Sequence, residues 1–252
     1  MEKQKTAIIL AAGRGSRLKE LSLENPKPMT IVQEDTIIEN LIRALVASNI
    51  KKIIIVIGYM ADKLREHIIL KFNGQADFEF VNNEIFDSTN NIYSLWLARE
   101  YMDQGFYLFE ADVYCDTAII KQLVDCTDPD IMLIDKYTNQ MDGTVVYLDE
   151  KFYVLKLYLK KNQAEKFDYS DKYKTINFYR ISSEFATDYF IPKLDKHIRG
   201  KDVGSYYEQI IKEAVDEGYL FKGLIPSDGK WWEIDTKEDL AHTRRIFFNA
   251  KE

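Results

Sequence analysis

Cysteine is nearly absent from this chain. There are two in 252 residues, Cys115 and Cys126, and neither stands in a metal-ligand spacing or a disulfide framework. Both read as small thiols of the core or its edge. No apolar run approaches the roughly 20 residues needed to cross a bilayer, and residues 1–6 are polar rather than a secretory leader. The expectation is a cytoplasmic protein with no membrane insertion. An excess of positive charge is also missing: the net charge is −7, which argues against a nucleic-acid backbone as partner. No internal repeat, low-complexity tract or linker rich in Pro, Gly or Ser interrupts the chain, so one domain over residues 1–252 is expected.

What is present begins at residues 7–29, AIILAAGRGSRLKELSLENPKPM. Residues 7–10 are apolar and rich in Ile, the pattern of a strand buried on both faces. A turn of small residues follows. Between Leu10 and Ser16, the residues Ala11, Ala12, Gly13 and Gly15 leave backbone N–H groups able to approach an anion closely. Arg14 and Arg17 add guanidinium forks suited to phosphate oxygens, and Lys27, restricted by Pro26 and Pro28, adds a point charge at a set place. The spacing is not that of the dinucleotide fingerprint, and the Gly-Lys-Ser/Thr ending of a P-loop is missing. The two glycines alone would fit an ordinary strand-to-loop turn equally well.

Downstream, Asp35 or Thr36 can cap a helix with apolar positions Ile37, Ile38, Leu41, Ile42, Leu45 and Val46. Strands are expected at 52–57, closed by Gly58, and at 78–81, with a helix at 61–72 between them. Residues 82–102 begin polar and end as an amphipathic helix, with Ser88 or Thr89 as its N-cap. A strand at 106–109 runs into Glu110-Ala111-Asp112. Residues 117–125 read as a helix and 131–134 as a strand. The rhythm is that of a mostly parallel, Rossmann-like α/β sheet with helices on both faces. Residues 143–159 read instead as a hairpin about Asp149-Glu150-Lys151, and 175–181 as a further strand; together they form an antiparallel addition over the substrate. Helices are expected at 183–197 and 205–217, short strands at 220–225 and 231–234, and a capping box at Thr236 to Asp239 opening a last helix. The division expected is a core of 1–135 and 220–252 with an acceptor-binding subdomain at about 136–219.

Asp112 and Asp235 each follow a strand, where acids can reach a ligand at the carboxyl end of an open sheet. By position alone Asp112 reads first as a polar strand end and Asp235 as a helix cap or its neighbour. The string Leu10-Ala-Ala-Gly-x-Gly-Ser-Arg17, followed by Pro26-Lys27-Pro28, resembles the signature of the nucleotidyltransferases that make nucleotide-activated sugars and alcohols. The resemblance over nearly the whole chain is closest to bacterial cytidylyltransferases that activate phosphocholine or 2-aminoethylphosphonate. It is carried by Gly58-Tyr59, Asn90-Asn91-Ile-Tyr93-Ser94-Leu95, Asp112 and Trp232-Glu-Ile-Asp235. It implies CTP and a small phosphorylated or phosphonate acceptor as partners, with Mg2+ held by Asp112 and Asp235 and with Lys27 and Arg17 in catalysis. Tyr59 and the loop would hold the nucleotide. Asn82 and Asn83 can offer a base both an acceptor and a donor, or merely cap a loop. Asn91, Tyr93, Tyr114, Tyr158 and Trp232 would bind the acceptor, the aromatics by cation–π attraction if it carries a quaternary ammonium. A sugar-1-phosphate nucleotidyltransferase using UTP or dTTP, and a non-catalytic nucleotide-binding regulator, remain the alternatives.

Overall fold

A computed structural model describes residues 5–18 and 21–248. Its frame is a mixed sheet built from β1 (Thr6–Ala11), β2 (Lys52–Ile57), β3 (Asp77–Asn82) and β4 (Phe106–Glu110). After the short β5 (Val113–Cys115) come β6 (Ile131–Lys136), β7 (Val145–Leu148), β8 (Val154–Tyr158), β9 (Tyr173–Ile181), β10 (Lys222–Leu224) and β11 (Trp231–Glu233). The strand order is β10-β6-β9-β4-β1-β2-β3, with β7 and β8 attached through β9, while β5 and β11 form a separate two-stranded ribbon.

β1 pairs in parallel with β2 on one side and with β4 on the other. The connections therefore diverge at β1, and such a switch point opens a crevice at the carboxyl ends of the strands. β1 is buried along its whole length. Side chains alternate across a strand, so Ile8 and Leu10 join one core and Ala7, Ile9 and Ala11 the other. The first core is covered by the helices Asn91–Leu97, Ile191–Arg199 and Glu208–Asp216, the second by Ile37–Ala47, Ala61–Phe72 and Thr117–Asp125. Among the described residues no helix is long and apolar enough to cross a membrane.

Three sequence expectations change. β9 is an inner strand of the main sheet, antiparallel to both β4 and β6, and of the expected antiparallel addition it is the β7–β8 hairpin that stands outside the main row. The apolar run TINFYRI would look the same at either place. The helix Asn91–Leu97 is capped by Asn90, whose Oδ1 accepts from the Asn91 N–H at 2.8 Å, rather than by Ser88 or Thr89. The helix expected at 183–197 contains a π-turn at Ala186–Phe190.

Of the two cap candidates for Ile37–Ala47, Thr36 makes a full capping box: its Oγ1 accepts from the Glu39 N–H at 3.2 Å, and its own N–H donates to Glu39 Oε2 at 2.8 Å. Thr36→Ala should therefore lower stability by about 1 kcal/mol. The expected result is a lower urea midpoint at unchanged slope, and an unmoved midpoint would refute the assignment.

Candidate active site

The chain leaves β1 through the small-residue turn and folds back under it. Gly58 makes room for this: a Cβ there would lie 2.8 Å from the Ala12 carbonyl oxygen, which accepts the Tyr59 N–H at 3.0 Å. Gly15 does the same on the other side. Its φ is +64° and a Cβ would stand 2.6 Å from the Lys27 Cβ, so only glycine both adopts that backbone and lets Lys27 pass.

Lys27 sits in a short 3-10 turn, Lys27–Met29, introduced by Pro26. Its Nζ lies 2.9 Å from Asp112 Oδ2 and 2.7 Å from Asp235 Oδ1, and Arg17, largely in solvent, reaches Asp235 Oδ1 at 3.0 Å. Burial alone would favour the neutral amine, but the two carboxylates overcome it and hold the Lys27 ammonium above its ordinary pKa. The β5–β11 ribbon brings the aspartates together. Trp232 pairs with Tyr114 and Glu233 with Val113, and the Ile234 N–H donates to the Asp112 carbonyl at 2.8 Å.

Oxygens of Asp112, Glu233 and Asp235 fall within 4.8 Å of one another, and Asp112 Oδ1 is buried without a partner. A set of carboxylate oxygens with one orphan fits a hard divalent cation. Glu233 is braced by Lys174, whose Nζ lies 3.0 Å from Glu233 Oε2 and donates to the Thr175 carbonyl at 2.7 Å.

Beside this group stand Glu110, at the end of β4, and Glu208, at the start of its helix. Asn91 bridges them, with Nδ2 at 3.3 Å from Glu110 Oε1 and 3.5 Å from Glu208 Oε2, and its Oδ1 accepts from the Tyr207 N–H at 2.9 Å. Burial, with Asp112, Glu208 and Glu233 adding to it, pushes the Glu110 carboxyl well above the usual range. Burial pushes Glu208 up to about 7 against its backbone and Asn91 hydrogen bonds.

These groups share one cavity of about 970 Å³. The whole turn from Leu10 through Ala11, Ala12, Gly13, Arg14, Gly15 and Ser16 to Arg17 lines it, as do Lys27, Asn91, Asp112, Trp232 and Asp235. Six residues expected at the site are not among its lining. Tyr59 braces the loop from behind, donating its hydroxyl to the Ser22 carbonyl at 3.0 Å. Asn82 is exposed at the end of β3. Asn83 is buried and spent locally, donating to Thr89 Oγ1 and Ser94 Oγ and accepting from the Ile85 N–H. Tyr93 stacks on Trp96. Tyr114 donates to Asp35 at 2.7 Å and meets Phe247 edge-on, in the small core under the last helix. Tyr158 packs against Phe167, and Lys172 lies over both rings. Tyr59 and Tyr114 are taken up by partners remote in sequence, and Asn83 and Tyr93 by near ones.

Glu110, Glu208, Glu233 and Lys174 were not among the expected site residues. For Glu233 a signal existed, since the two-residue period of a strand directs it to the same side as Asp235. Glu208 had none, because a glutamate in the first turn of an amphipathic helix reads as a solvated residue.

The MobA-like NTP transferase domain model matches residues 7–170. Over 92% of this chain, a CMP-5'-(3-aminopropyl)phosphonate synthase of Streptomyces rubellomurinus is 29% identical; the chain spans 37% of that protein's length. A CTP:phosphoglutamine cytidylyltransferase of Campylobacter jejuni is 26% identical over 93% of this chain and 97% of its own. Among solved structures, the CTP:phosphocholine cytidylyltransferase of Streptococcus pneumoniae superposes with a TM-score of 0.78 at 22% identity, covering 97% of this chain and 99% of that one. A UDP-glucose pyrophosphorylase complexed with UDP-glucose gives 0.79 at 14% identity, covering 98% and 99%.

Because Glu208 titrates higher when folded, the native state holds a proton that the unfolded chain has already lost above its ordinary value of 4.5. Stability of the unliganded protein should therefore fall as the pH rises from 4.5 towards about 7. Thermal melts across that window should show the fall, and Glu208→Gln should flatten it. A melting temperature that climbs through the window would overturn the reading.

Proposed function

The chain belongs to the MobA-like NTP transferase family, and we propose that it is a Mg2+-dependent cytidylyltransferase. CTP would react with a small phosphorylated or phosphonate amino compound to give the CDP- or CMP-linked product and pyrophosphate. The observation that carries the reading is the meeting of Lys27 with Asp112 and Asp235 below a small-residue turn, at the mouth of one large cavity.

In such a reaction an acceptor oxygen attacks the α-phosphorus of CTP. A new P–O bond forms while the bond to the departing pyrophosphate breaks in line. Both reactants are anions, so the work of the protein is positioning and charge neutralisation. The turn from Ala11 to Gly15 presents N–H groups and Arg14 and Arg17 their forks to the triphosphate. Lys27, already charged and held between carboxylates, stands where the acceptor's anion and the α-phosphate must approach. Asp112 and Asp235, with Glu233, are the groups that would hold Mg2+, which when bound supplies further neutralisation of phosphate charge. Asn82 and Asn83 lie away from the cavity lining, so the choice of base falls to main-chain groups of the turn.

A site that hydrogen-bonds its base rejects an analogue with donors and acceptors exchanged, so CTP should exceed UTP in kcat/KM by roughly a hundredfold or more. Pyrophosphate release with four NTPs and a panel of acceptors measures this. Equal rates with CTP and UTP would point to the sugar-nucleotide alternative, and no release with any pair to a binding protein.

Lys27→Ala should lower turnover by roughly 10³. It should also cost some stability of the unliganded protein, since Asp112 and Asp235 lose their counter-ion. Asp112→Asn and Asp235→Asn should each abolish turnover in protein that still melts cooperatively. Retained turnover in any of the three would remove that residue from the mechanism.

A further inference from the structure

The carboxylates suited to a divalent cation are already engaged. Lys27 stands at ion-pair distance from Asp112 and Asp235, Lys174 from Glu233, and Arg17 from Asp235. The cluster thus holds as many cations as carboxylates among the described residues. A divalent ion would add two charges with no carboxylate left to match them, and at such separations like charges repel steeply.

The three cations are not equally placed to leave. Lys174 is buried and also donates to the Thr175 carbonyl at 2.7 Å. Arg17 reaches Asp235 from solvent. Lys27 combines a fixed stem with a head that can turn. Its Cβ, Cγ and Cδ lie within 3.2 Å of the point where a Gly15 Cβ would stand, so the stem runs directly beneath the small-residue turn. Rotation about the last two torsions moves the ammonium and leaves that stem in place. The head can therefore face the aspartates or an anion held on the turn.

Asp112 adds an independent observation. Its Oδ2 meets Lys27 at 2.9 Å, while its Oδ1 is buried with no hydrogen-bond partner. The ammonium matches the charge of the aspartates and leaves a ligand oxygen unused, which fits a replaceable counter-ion better than a permanent one.

We propose that Lys27 is a charge lock on the cation site: its ammonium holds the oxygens of Asp112 and Asp235 until phosphates at the turn draw it off, so that a divalent ion is admitted together with a triphosphate and not before it. The proposal rests on the transferase reading above for the identity of that triphosphate. Phosphate oxygens replace the aspartates as partners of Lys27 and Arg17, and both aspartates open in the same step. No segment of backbone has to move.

Mn2+, which shares the preference for oxygen ligands, is the probe. Titrated calorimetrically into the nucleotide-free full chain, it should bind the wild type with a Kd on the order of 1 mM or weaker. Lys27→Met keeps the apolar stem and removes the charge, and should tighten Mn2+ binding by about tenfold or more. Arg17→Gln, on an exposed side chain, should tighten it by a smaller factor of about three. Mn2+ should also raise the melting temperature of Lys27→Met more than that of the wild type. A lysine that merely props the aspartates in place gives the opposite sign: its loss would weaken Mn2+ binding, and that result overturns the proposal. Micromolar binding of Mn2+ by the nucleotide-free wild type overturns it as well. If Lys27→Met does not melt cooperatively, the wild-type affinity and Arg17→Gln decide, and an Arg17→Gln variant with no gain sinks the lock. Pyrophosphate release from CTP by the same preparations separates the two readings. Release beside tight nucleotide-free Mn2+ binding removes the lock and leaves the transferase; the expected Mn2+ gains without release from any NTP do the reverse.

Discussion

Everything at this site depends on one buried ammonium held between two carboxylates. Lys27 is 9% exposed, and burial alone favours its neutral amine. Asp112 and Asp235, alone, would repel each other. Together they form a group in which each charge makes the others tolerable, and none can be placed without the rest. The elements that supply them are far apart in sequence. The turn after β1 delivers Lys27, the end of β4 leads to Asp112, and the β5–β11 ribbon delivers Asp235. The triad therefore acts as a register mark for three separate connections.

That dependence explains why the surrounding backbone is so restricted. Gly15 and Gly58 each stand where a single added carbon would strike a neighbour, the Lys27 side chain in one case and the Ala12 carbonyl in the other. Pro26 fixes the entry to the lysine turn. The apolar frame beneath is unremarkable by comparison: Ile8, Ile9, Ile54 and Ile55 are buried on alternating faces as any doubly covered strand requires. Its task is to keep the carboxyl ends of β1 and β4 adjacent, where the Ala111 N–H donates to the Leu10 carbonyl at 3.1 Å.

How much of this could be read beforehand follows the range of the interactions. The small-residue turn, Asp112 and Asp235 stood out because each follows a strand, and Lys27 because prolines flank it, all local marks. Tyr114 and Tyr158 misled because an aromatic residue looks alike whether it faces a ligand, an aspartate such as Asp35 or a lysine such as Lys172. Asn83 misled for a related reason: its amide serves the Ser94 and Thr89 hydroxyls instead of an open site. The place of β9 inside the sheet was invisible, since an apolar strand carries no record of which neighbours it has. Glu208 was invisible for the opposite reason. Its sequence context is that of a surface helix, and only the packing of that helix against Asn91 and Glu110 takes it out of water.

The charges in the cavity also divide in space. Arg14, Arg17 and Lys27 line the cavity from the turn and its return, while Glu110 and Glu208 line it from β4 and a late helix, bridged by Asn91 and without an ion pair among the described residues. With no lysine at ion-pair distance, Glu110 and Glu208 offset the cost of their burial by holding protons, which is what the upward shift of both carboxyls means. That cost is therefore carried as a loss of stability with rising pH rather than as an unpaired buried charge.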